Sequence, residues 1–115
     1  MKAFTDLEQS KKLAEFLSLE SADMYYPYFG DNKWGETARF GEALEYSGRK
    51  DIPCWSLTAL FDILPILDNR SPVIPKTFDG KYRVVYHSTA YEKAILTSDY
   101  DNPVDACYEM IIKLH

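Results

Sequence analysis

Apolar residues recur at helical spacing in three stretches of the chain. In the first, Leu7, Leu13, Ala14, Phe16 and Leu17 fall on one half of a helical wheel, with Glu8, Lys11, Lys12 and Glu15 on the other. Thr5 followed three residues later by Glu8 has the form of a capping box, so the pattern predicts a helix over about residues 6–18. In the second, Leu57, Leu60, Phe61 and Leu64 keep the i, i+3, i+4, i+7 spacing behind Ser56 as N-cap. Pro65 closes that run by disfavouring helical geometry at Leu64. The apolar surface of this short helix runs nearly all round, which predicts a central position. In the third, Val104, Cys107, Met110, Ile111 and Leu114 share one face, with Glu109 and Lys113 four apart on the other. Asn102 is its expected N-cap, and Pro103 takes the first helical position, where a missing N–H costs nothing. Asp105 then meets the positive helix end.

Between these helices the pattern changes to β-favouring aromatics separated by turn formers such as Gly30-Asp31-Asn32 and Ser47-Gly48. It predicts a strand over about Met24 to Phe29 and a second over about Arg39 to Tyr46, the latter with a short helix as the alternative because Glu42 to Glu45 are good helix formers. After a link containing Pro65, Pro72 and Pro75, Asp79-Gly80 lies between VIPKTF and KYRVVYH and predicts a type I′ hairpin. Pro75 confines the first of these strands to an edge. Ser88-Thr89 marks a further turn before YEKAILT, so residues 73–97 are expected to form a three-stranded antiparallel meander. The expected fold is therefore a single α+β domain over residues 1–115, its small antiparallel sheet packed against the N-terminal, central and C-terminal helices.

Composition narrows the function classes. At 115 residues the chain has room for one core, and 18 acidic against 13 basic residues give a net charge of −5. That charge repels a phosphate backbone unless the bases are segregated. The adjacent pairs Lys11-Lys12 and Arg49-Lys50 each lie beside carboxylates, so direct nucleic-acid binding is disfavoured. The amphipathic N-terminus and short apolar runs predict neither a signal peptide nor a membrane span, and with two separated cysteines they point to the cytoplasm.

Candidate chemistry is sparse. Asp99, Asp101 and Asp105 crowd around Asn102, but counting an EF-hand loop from Asp99 puts Pro103 at position five, Val104 at six and Met110 at twelve. All three are wrong for calcium, and the carboxylates read as helix-start residues rather than a metal site, with a looser divalent site on Asp99 and Asp101 as the less favoured alternative. His87 paired with Cys54, Cys107 or an aspartate is the candidate nucleophilic arrangement, and a Ser-His-Asp set fares no better because GxSxG is absent. No glycine-rich phosphate loop occurs, and no cofactor is expected. Aromatics make up 15% of the chain and concentrate at Tyr25, Tyr26, Tyr28, Phe29, Trp34 and Phe40. Strand alternation would place Tyr26 and Tyr28 on one face and Tyr25 and Phe29 on the other. Tyr25, Tyr26, Tyr28 and Trp34 are accordingly the candidate partner-binding residues, since Tyr and Trp dominate interface hot spots.

Four stretches, EQSKKLAEFL, LESADMYY, PCWSLTALFDILP and DNPVDACYEMIIKLH, together resemble a family of small proteins of gut Bacteroidales bacteria and of their phages and mobile elements. The resemblance implies a phage or mobile-element origin, with members that continue several residues past the position of His115. It implies no catalytic residue, because the shared stretches are caps and apolar helix faces. The leading expectation is a non-enzymatic interaction module that binds a protein partner or itself, for instance as a homodimer. The alternatives are an acidic decoy or inhibitor of a host nucleic-acid-binding protein, and a small hydrolase using His87.

Overall fold

The computed structural model describes residues 1–46 and 49–115, so the turn expected at Ser47-Gly48 lies outside the described residues. These residues form a mixed α+β structure of helices and small antiparallel pairings. The chain falls into two compact units, Phe4–Ala59 and Leu60–His115 together with Met1–Ala3.

The Phe4–Ala59 unit opens with helix α1 (Leu7–Ala14). Its cap is one residue later than the pattern predicted: the Asp6 carboxylate accepts from the Gln9 amide at 2.8 Å, and the Gln9 side chain accepts from the Asp6 amide at 3.1 Å. Thr5 is drawn inward instead. Its hydroxyl bonds Ser10 Oγ at 2.8 Å and accepts from the Trp55 amide at 3.1 Å, leaving it no geometry for capping. A single 3₁₀ turn (Leu19–Ser21) leads to β1 (Met24–Tyr26). The expected strand breaks there, because Pro27 brings no amide to a ladder, and β2 (Tyr28–Gly30) pairs separately with β3 (Lys33–Trp34). The Arg39–Tyr46 region is likewise two short pieces, β4 (Arg39–Phe40) and β5 (Glu45–Tyr46), and the helical alternative does not form. β5 pairs with β6 (Arg49–Lys50), and β7 (Ile52–Cys54) closes a three-stranded sheet of order β4-β1-β7. The core lies on the face of that sheet carrying Met24, Tyr26, Ile52 and Cys54, with Ala38, and with Phe4, Leu7 and Trp34 packed at its margin; α1 covers β7.

Helix α2 (Leu57–Ile63) starts where Ser56 Oγ accepts from the Ala59 amide at 3.3 Å, as its sequence predicts. It is not buried all round as a central position would require, since Phe61 and Asp62 are exposed.

In the Leu60–His115 unit the expected three-stranded meander is replaced by a two-stranded ladder, β8 (Val85–Tyr86) with β9 (Ile95–Leu96). The segment before it joins through isolated bridges, Val73 to Val85 and Lys76 to Tyr82, with Pro75 between them accepting from Arg83 N at 3.4 Å but unable to donate in return. The Asp79-Gly80 turn is also not type I′. Only Gly80 has positive φ (82°), and the turn closes through Gly80 N to Thr77 O at 3.0 Å and Thr77 N to Lys81 O at 2.7 Å. The paired positive φ that type I′ requires occurs at Asp31-Asn32 (51° and 57°) and Asp68-Asn69 (48° and 63°). Buried Arg70 bonds the carbonyls of His87 and Lys93, each at 3.0 Å, and so clasps both ends of the loop that follows β8. Helix α3 (Pro103–Leu114) is capped as predicted, with Asp105 N donating to Asn102 Oδ1 at 2.8 Å. Val104, Cys107, Met110 and Ile111 are its buried face. Glu109 and Lys113 turn away from one another to hold the preceding segment: Glu109 takes the Tyr100 hydroxyl at 2.7 Å, and Lys113 donates to Leu96 O at 3.0 Å.

Candidate functional site

The aromatic cluster of the Phe4–Ala59 unit is shaped by three local devices. Pro27 ends β1 and lets the chain change direction. Asp31-Asn32 then folds β3 back, so that Trp34 stands opposite Tyr28, their ring centroids 5.4 Å apart. The third device is Asp51, whose buried carboxylate accepts the Tyr28 amide at 2.9 Å and the Leu44 amide at 3.0 Å. Nothing in the sequence singled it out, since an aspartate beside Arg49-Lys50 reads as a surface charge. The one available hint was its position directly before the buried run Ile52-Pro53-Cys54.

The four residues expected to meet a partner are not equivalent. Tyr26 is a core residue, 4% exposed, with its hydroxyl donating to Thr5 O at 2.8 Å, and it leaves the set. Burial also raises its phenol above the usual range. The reason is register: Tyr26 lies opposite Ile52 on the inward face, and the break at Pro27 separates it from Tyr28. Tyr28 is half-buried and accepts from the Asn32 amide at 3.2 Å. Trp34 is half-buried and already engaged, its indole donating to Lys50 O at 2.8 Å and Lys11 Nζ standing 5.1 Å from the ring centroid. Tyr25 is half-buried on the outward face, in register with Arg39 and Pro53.

Within this cluster the freely presented aromatics are two phenylalanines outside that set, Phe29 (66% exposed) and Phe40 (78%). Phe29 lies against Gly35: a Cβ at that glycine would meet Phe29 Cζ at 3.3 Å and Pro27 Cγ at 3.0 Å, so a side chain there would press on both rings. Beside it is a shallow depression of about 380 Å³ lined by Pro27, Phe29, Gly35, Glu36, Thr37 and Arg39. Phe40 shares a face with Met24 by register, yet it sits on the sheet's edge strand beyond the core's cover. Strand alternation could have suggested Phe29; nothing local distinguishes Phe40 from a core phenylalanine.

The remaining candidates divide cleanly. Asp99 pairs with Arg83 at 3.0 Å, Asp101 with Lys81, and Asp105 with Lys2 at 2.8 Å, so each carboxylate around Asn102 faces a base. His87 is exposed, whereas Cys107 is wholly buried and burial pushes its thiol up to about 12. Cys54 is equally sealed; burial raises its thiol, which donates to Thr5 O at 3.3 Å. A thiol held protonated and away from solvent is no nucleophile at neutral pH. Among the described residues no helix is long and apolar enough to cross a membrane. No protein-family model, curated protein or solved structure matches the chain.

Proposed function

We propose that the chain is a non-enzymatic interaction module, acting in the cytoplasm and carried by a phage or mobile element, whose contact surface is the Phe29 hairpin with its adjoining depression and Tyr25. The observation that carries this reading is the exposure of Phe29 on a paired hairpin, closed by Gly35 N donating to Pro27 O at 2.9 Å, while the neighbouring Tyr26 is spent on the core. A ring carried on paired backbone has less chain entropy to lose on docking, and aromatics with arginine are enriched at interfaces, here Phe29 with Arg39. The hydrolase alternative has an exposed His87 but two sealed thiols. The decoy alternative requires acids spaced like phosphates, whereas Glu8, Glu15, Asp68, Asp99, Asp101 and Asp105 each lie within ion-pair reach of a base.

Photo-crosslinking tests the reading. A benzoylphenylalanine placed at Phe29, in cells that carry the gene, yields one dominant protein adduct, and the same probe at exposed Glu20 does not. Equal adduct patterns at the two positions would remove Phe29 as a contact.

A further inference from the structure

We propose that this chain docks onto a second copy of itself, Phe78 of one copy entering the Pro27–Phe29 depression of the other. The inference rests on the interaction-module reading and names the partner. Phe78 is fully exposed at the tip of a turn that is rigid for its length. Gly80 N bonds Thr77 O, Thr77 N bonds Lys81 O, Lys81 N donates to Thr77 Oγ1 at 2.9 Å, and Thr77 Oγ1 also bonds the Asp79 carboxylate. No folding requirement explains a phenylalanine there, because the turn's own signals are Thr77, Asp79 and Gly80. Presented this way, the ring has its backbone entropy already spent, the condition under which a single aromatic anchor contributes most.

The receiving site has matching chemistry. A depression of about 380 Å³ lies at the small end of the range that admits drug-sized ligands, room enough for one aromatic side chain, and its walls include the Pro27 and Phe29 rings. Its rim carries one charge of each sign, Glu36 and Arg39, both exposed. The tip carries the complement, Lys76 two positions before Phe78 and Asp79 directly after it. An anionic lipid surface fits less well, because the chain's net charge is −5 and Asp79 adjoins the ring.

Sedimentation equilibrium of the full chain over a concentration series tests this with two variants at exposed positions, Phe78→Ala at the tip and Thr37→Arg in the depression. The wild type shows a mass that rises with concentration above 13.3 kDa, and each variant weakens association on the order of tenfold or more. Mixing the two variants restores a two-chain species, because one supplies an intact depression and the other an intact tip. A wild-type mass that stays at one chain, a Phe78→Ala variant that associates like wild type, or a mixture that stays monomeric each overturns self-docking. A monomeric wild type that still crosslinks through position 29 to one foreign protein ends this proposal and leaves the interaction reading standing. Loss of both signals ends both.

Discussion

A carboxylate with almost no water around it must have its charge met by nearby dipoles, and for Asp51 these include the amides of Tyr28 and Leu44. Those bonds join the start of β2 to the residue just before β5, so one side chain registers the aromatic hairpin against its neighbour. Asp51→Asn replaces an acceptor pair by one carbonyl and one NH₂ group, which turns a donor toward an amide that needs an acceptor. The expected cost is about 1–3 kcal/mol, read as a lower urea midpoint with an unchanged m-value. A smaller loss would mean that the asparagine side chain recruits water in place of the second bond. Asp51→Ala is the more severe control, since it leaves both amides without that acceptor.

At the scale of elements, the turns show how far local chemistry reaches. Gly80 has φ of 82° and open space where a Cβ would go, so the whole penalty of Gly80→Ala is conformational, about 1–2 kcal/mol. Asn32→Gly, at a φ of 57° in the β2–β3 hairpin, goes the other way and raises the melting temperature modestly, by relieving a left-handed residue of its Cβ. Thermal unfolding of both variants checks the pair of opposite signs. The three helices were legible in the sequence because their signals are local: Asn102-Pro103 at α3 and Ser56 before α2 are caps that adjoin the helices they start, although Asp23 also holds the Ser56 amide and hydroxyl. The α1 cap was misread by one residue because Thr5 and Asp6 are both good caps, and burial chose between them by claiming Thr5 for Ser10 and Trp55. Strands fared worse. Asp-Gly is a strong type I′ signal, but two residues bearing Cβ atoms, Asp31-Asn32, adopted the conformation instead, and the meander lost regular pairing across Pro75. The aromatic site was half legible: composition located it, but whether Tyr26 or Phe29 faces out depended on the break at Pro27 and on pairing with distant Ile52.

For the whole molecule, the groups whose protonation changes on folding set an alkaline limit. Tyr100, bonded to Glu109, is pushed from its ordinary 10 up to about 12, and buried Cys107 from 9 up to about 12. Both are acids with raised folded values, so the unfolded chain releases its protons first. Their contribution is complete below about pH 9 and is lost as the pH climbs toward 12. Urea midpoints taken across that range should fall with pH, and Tyr100→Phe should flatten the decline between 10 and 12. An unchanged slope in that variant would assign the decline to the groups that burial raises, the Cys54 and Cys107 thiols and the Tyr26 and Tyr86 phenols. Near neutrality neither group titrates.

The guanidinium of Arg70 has a different consequence, one of lability to proteases. Because a single side chain holds both His87 O and Lys93 O, losing its grip should free the loop between them while the rest of the unit stays folded. Arg70→Lys keeps the charge but gives up the planar guanidinium, whose Nη1 donates to both carbonyls while its Nε is anchored on Leu67 O at 3.3 Å. Trypsin should then cut after Lys93 in an otherwise native chain, leaving a nicked molecule whose halves stay together.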